Sequence, residues 1–200
     1  MAESYSGQKN LPEAERVTTL ALGIIRRLQK VFHLTGYLSI AARIYFAQEK
    51  YEQARQLNNE ALELAVKNKS RQFEFHTTIL AIHLNYLSGY FDSNAAISQL
   101  KDMLTDWTEG DQQAEIYYTI WKIDASQDAM RENAAKLFHS LIEHSPQAGY
   151  RDRYEELTGI HIPKPSTFPE LPESITLLNI NYPEMLSDIE DWLAPKVTRS

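Results

Sequence analysis

The 200-residue chain contains no cysteine. That absence excludes a disulfide framework, a thiolate zinc site and a cysteine nucleophile, and it fits a reducing compartment. Glycine is sparse, with 7 residues dispersed along the chain, so no glycine-rich loop is present to cradle a phosphate. Long apolar runs are missing as well. None approaches the roughly 20 residues a helix needs to cross a bilayer. The opening stretch MAESYSGQKN lacks the basic start and apolar core of a secretory signal. These features lead us to expect a cytoplasmic protein that does not engage a membrane. Excess positive charge is lacking too. Twenty Lys and Arg stand against 27 Asp and Glu, a net charge of -7, and the basic residues are scattered among the acids. Nucleic-acid binding rests on clustered cations, so no direct contact with nucleic acid is expected.

Signatures of catalysis are also missing. Neither GxSxG nor HExxH occurs. Six histidines invite a metal hypothesis, but their spacing does not support it. His76 and His83 are seven residues apart, two helical turns, which is too far to chelate one ion without other ligands. His139 and His144 are five apart and point in different directions. We therefore expect no metal, no cofactor and no enzymatic activity. Carboxylates that pair only across helices cannot be seen in a sequence, so a helical-array enzyme remains an alternative.

What is present is helical periodicity. Val17, Leu20, Ala21, Ile24, Ile25, Leu28 and Phe32 recur at steps of three and four, which predicts a first helix from Pro12, broken at Gly36. A helical hairpin follows over Leu38–Leu64. Leu38, Ala41, Ala42 and Tyr45 share one face of its first helix; Tyr51, Ala54, Leu57, Ala61, Leu62 and Ala65 share one face of its second. Alanines at facing positions let two helices approach closely. Further helices are expected from Arg71 to Ser88, from Asp92 or Ser93 through Trp107, from Glu115 to Ala125, from Arg131 to His144, and from Ser145-Pro146 to Gly159. The segment ILAIHLNYL is apolar almost all round, as in a helix covered on both sides. The last forty residues differ. Six of 8 prolines lie between Pro163 and Pro195, and the span from Pro165 to Pro195 carries six acidic residues and no basic one. The expected organisation is a disordered 1–11, a helical domain over 12–159, and an acidic, proline-rich tail over 160–200 with a possible short docking helix.

Ala54, Ala95 or Ala96, and Ala134 are spaced by about forty residues, the kind of period that stacked helix pairs produce. Here the chain resembles the tetratricopeptide repeat family, over residues 35–146. Leu38, Ala41, Ala42, Tyr45, Tyr51, Ala54, Ala61 and Leu62 stand where that family places its bulky, small and aromatic residues. Glu49 stands where it usually has glycine. Tyr118, Trp121, Ala134, Phe138 and a closing Pro146 repeat the motif, and the copy between them, with Gly89 and Phe91, is degenerate. The resemblance implies an all-α, right-handed α-solenoid of antiparallel helix pairs, about eight helices long, with an extended C-terminal tail.

Such solenoids bind through the concave surface lined by the first helix of each pair. That places Ser39, Arg43 and Phe46, then His76, His83 and Tyr86, then Thr119, Lys122 and Ser126, in the candidate groove. Arg43, His83 and Lys122 together suit an acidic peptide segment or a terminal carboxylate. In the tail, Ile189 and Trp192 are candidate anchors, for a partner or for the chain's own last helices. The expected function is a protein- or peptide-binding scaffold or adaptor, a sensor or interaction component of a bacterial signalling or defence system, within a larger complex. A regulator whose acidic tail masks its own groove is an alternative.

Overall fold

A computed structural model describes residues 11–28, 31–145 and 147–163, together with Ile189 and Leu193. Eight α-helices make up the described chain: α1 (Leu11–Arg27), α2 (Val31–Ala47), α3 (Tyr51–Lys67), α4 (Arg71–Leu87), α5 (Ser93–Met103), α6 (Gly110–Ile123), α7 (Asp128–His144) and α8 (Ala148–Thr158). No strand occurs among the described residues. Each helix packs on the next. The helices that follow every second turn, α2, α4, α6 and α8, begin at Val31, Arg71, Gly110 and Ala148, spacings of 40, 39 and 38 residues.

The turns explain much of this order. After α2, α3 and α4 the chain reverses through a left-handed residue: Glu49 (φ 61°), Lys69 (φ 53°) and Gly89 (φ 74°). In each case the following amide reaches back to close the helix: Lys50 N to Tyr45 O, Ser70 N to Ala65 O, Tyr90 N to Asn85 O, all at 2.9 Å. This is the Schellman termination. Glu49, noted above for standing in a glycine position, therefore holds the backbone conformation that glycine favours. Gly159 (φ 72°) ends α8 in the same conformation. Asp92 caps α5 by accepting a hydrogen bond from Ala95 N at 2.7 Å.

Apolar residues gather in four clusters strung along the array. Leu22, Leu38, Ala41 and Ala61 join α1, α2 and α3. Ala42, Ala54, Leu80 and Leu84 join α2, α3 and α4. Phe75, Ile82, Ala96, Leu100, Trp107, Ile116 and Ile120 join α4, α5 and α6. Ala114, Ala134, Phe138 and Leu157 join α6, α7 and α8. Leu80 and Leu84 face one cluster while Ile82 faces the next, so α4 is covered on both sides, as its all-round apolar sequence requires. Two polar residues among those described are wholly buried, Asn58 and Thr77, each 0% exposed; Asn58 donates from Nδ2 to the Thr77 carbonyl at 2.8 Å and ties α3 to α4.

Several boundaries differ from the periodicity. The first helix ends at Arg27, and Gly36 lies inside α2 rather than at a break. A side chain at Gly36 would put its Cβ 3.1 Å from Cζ of Phe73, so this glycine lets α4 approach α2. The stripe that turns α1 toward its neighbours runs through Ala14, Thr18 and Leu22, not through Val17, Leu20 and Ile24. Trp107 lies beyond the end of α5, buried against the Phe75 ring at 5.1 Å and under the Arg71 guanidinium at 4.0 Å. Between Ala95 and Ala96, it is Ala96 that is buried. The N-cap of α8 is Gln147; Pro146 and Trp192 lie outside the described residues.

Candidate functional site

The helix α4 packs directly on both α2 and α6, and each of the three also packs on its chain neighbours. Side chains extend the row to α8: Arg153 pairs with Glu115 at 3.0 Å, and Lys122 with Glu156 at 2.7 Å. The helices α2, α4, α6 and α8 thus present one continuous surface, and most of the sequence-predicted site residues fall along it.

Arg43 is exposed near the C-terminal half of α2 and makes no hydrogen bond or ion pair with the described residues. Its charge is nevertheless felt across the surface, at His76 on α4 and at Glu115 on α6. One turn along α2, the half-buried Phe46 ring lies tilted against His83 at 5.0 Å and against Tyr51 at 5.8 Å. Burial, then the nearby Lys122 ammonium, pull the His83 imidazole down to about 4. Burial, then Arg43, lower His76 as well. Both rings are uncharged at neutral pH, so neither adds a cation to the surface.

Lys122 is committed. It bonds Glu156, which also accepts a hydrogen bond from the Tyr118 hydroxyl. Burial pushes Glu156 up, but these two bonds outweigh it and hold the carboxylate below its usual range. Arg153 is committed in the same way. Its guanidinium pairs with Glu115 and lies 5.4 Å over Tyr118 and 5.8 Å over Phe138. Burial raises Glu115, and the pull of Arg153 and Arg43 opposes that rise. The Nε of Arg153 is buried without a partner.

Three of the nine groove residues are structural. Tyr86 donates its hydroxyl to the Ile123 carbonyl at 3.3 Å and joins α4 to the end of α6. Ser39 and Thr119 are buried, at 6% and 5% exposure, and Thr119 bonds back to Glu115 O. Ser126 is not on a helix; with Gln127 it donates to the Asp124 carboxylate in the turn between α6 and α7. Glu115, Glu156 and Arg153 were not singled out from sequence. Their signal was present: opposite charges 34 to 38 residues apart recur as contacts, in Arg26–Glu60, Lys50–Glu15, Lys122–Glu156 and Arg153–Glu115.

Two recesses open on the surface. One of about 320 Å³ lies between α2 and α4, lined by His33, Gly36, Tyr37, Ile40 and Phe73, and continues the row that holds Arg43. The other, about 500 Å³, lies on α3 beside Leu62 and Val66, away from the charged row. No group of three or more histidine or acidic side chains converges to hold a metal ion among the described residues. No described helix is long and apolar enough to cross a membrane.

What this surface can do is hold an extended segment. The apolar recess, the Phe46–His83 pair and the unpaired Arg43 together offer shape, ring faces and one available cation. A scan of protein-family models gives no match to the chain, and neither the curated proteins nor the solved structures give a significant one.

Proposed function

We propose that the chain is a tetratricopeptide-like, right-handed solenoid that binds a protein or peptide segment along the surface of α2, α4, α6 and α8. It acts without catalysis of its own, as a cytoplasmic scaffold or adaptor in a bacterial signalling or defence complex. The close packing of first helix on first helix supports a concave inner face on that side. The observation that carries the reading is Arg43. Lys122 and Arg153 on the same surface are neutralised by Glu156 and Glu115, whereas Arg43 is exposed and unpaired with the described residues. A guanidinium in that position suits the carboxylates of an acidic segment, which it can engage in two parallel hydrogen bonds. This narrows the three-cation groove expected from sequence to a single anchor flanked by rings.

The experiment is charge reversal. Arg43→Glu is compared with Lys101→Glu, a reversal on the exposed side of α5. Partner capture from the native host should be lost at least about tenfold with the first and unchanged with the second. Equal capture by both would remove the surface from consideration.

A further inference from the structure

Helix α1 has two apolar sides, and only one is explained by the array. Leu22 faces α2 and α3, in a cluster with Leu38, Ala41 and Ala61. Leu20, two residues earlier, points about 160° away around the helix. It belongs to none of the four clusters among the described residues, and yet it is only 8% exposed. Val17, Ala21 and Ile24 beside it are half-buried. As the first described helix, α1 has no helix before it in the array to cover this side.

The same side carries Gly23. A glycine inside a helix costs about 1 kcal/mol relative to alanine, and this one has no positive φ to justify it. Its use is spatial. A Cβ built at Gly23 would stand 2.9 Å from Cδ1 of Leu193 and 3.4 Å from Cδ2. Leu193 therefore lies in the hollow that the missing side chain leaves. Ile189 and Leu193 are both helical and both half-buried, and a spacing of four places them on one face.

We propose that the far side of α1 is the docking surface for the chain's own C-terminal turn, with Leu193 seated in the Gly23 notch and Ile189 one turn before it. The chain leaves α8 at the other end of the array, so this contact ties its last segment to its first helix. The turn covers apolar surface on α1 that the other described helices leave uncovered, as capping elements do in repeat proteins. Asp188, Glu190 and Asp191 surround the two apolar residues in sequence and Arg16 and Arg27 flank Gly23 on α1, so charge favours the same seating.

The test follows amide exchange in the full-length protein. Leu193→Ala should speed exchange in α1 about tenfold and deprotect residues around 189. Gly23→Leu should do the same, although leucine is a far better helix former than glycine. The double variant should go no further than either single one, because both remove one contact. Slower exchange in α1 on Gly23→Leu, as helix propensity alone demands, would overturn the proposal. So would an unchanged α1 in Leu193→Ala. A third variant lacking residues 1–10 separates the remaining candidate cover: if it alone deprotects α1, the N-terminal residues and not the C-terminal turn occupy this side.

Discussion

Around α2 and α3 the helices meet through alanine: Ala41, Ala42, Ala54, Ala61 and Ala65 are each no more than 1% exposed. Around α6, α7 and α8 they meet through rings. Phe138 lies 6.1 Å from Tyr118 and 5.9 Å from Tyr150, and Tyr118 lies 6.1 Å from Trp121. The turns differ in the same sense. The two early reversals place Glu49 and Lys69 in the left-handed region, while Gly89 and Gly159 occupy it later. The first half is thus packed on small side chains, with non-glycine residues in its left-handed turns. The second is filled by large side chains, and its helices α6 and α7 end on residues of negative φ, Asp124 and Ser145. Between them the surface changes character as well, from Arg43 on α2, which pairs with none of the described residues, to the paired cations Lys122 and Arg153 on α6 and α8.

The largest effect expected from this contrast is a hole in the ring-packed half. Phe138→Ala should cost about 3–5 kcal/mol of stability, read from denaturant unfolding. The alanine-packed half should fail by the opposite route, since Ala54→Leu has no room to enter between α2, α3 and α4 and should cost about 1–3 kcal/mol. If Ala54→Leu were neutral, the close approach of α2 and α3 would not be what the alanines provide.

Next comes pH. The fold holds His83, lowered to about 4 from its ordinary 6.5, and His76, also lowered, in the neutral form. The unfolded chain protonates both, so unfolding takes up protons. Stability is full above about 6.5 and falls as the pH drops toward about 4, by at most ~1.4 kcal/mol per unit for each ring. Glu115 works the other way. Its raised carboxyl favours the neutral form in the fold, so its contribution is present at low pH and lost as pH rises through its range. His83→Gln should flatten the profile between pH 4 and 6.5; an unchanged slope would remove His83 as its source.

The smallest effect is at the turns. Glu49→Gly relieves a left-handed non-glycine residue and should stabilise by about 0.5–1 kcal/mol after the entropy of the unfolded chain is counted. Gly89→Ala should destabilise by about 1 kcal/mol, for its φ alone, because no atom lies within 4 Å of the added Cβ. Thermal unfolding of the two variants should shift in opposite directions.

The helical fold and its spacing were legible because both are local. Apolar residues recur at helical steps, and alanines mark where α2 meets α3. One feature was misread for a physical reason. Gly36 looked like a break, but it serves the approach of Phe73 from another helix, which only the tertiary fold reveals. The shared face of Val17, Leu20 and Ile24 was legible from its periodicity, but what covers it was not, because Leu20 is buried outside the clusters formed with the neighbouring helices. The candidate site was legible as a surface and not as a charge pattern. Lys122 and Arg43 look alike in sequence; Glu156, one helical repeat downstream of Lys122, neutralises one and leaves the other. Such partners follow from the spacing of the helix pairs, and only once the register of every helix is known.

Site-specific photocrosslinking reads out the proposed seating of a partner along α2, α4, α6 and α8. A photoreactive residue at Ala47, exposed one turn beyond Arg43 on α2, is compared with one at Gln99, exposed on α5. Ala47 should crosslink the partner, and Arg43→Glu should abolish that product, while Gln99 should give none. Equal crosslinking from both positions, or a product from Ala47 that survives Arg43→Glu, would contradict it.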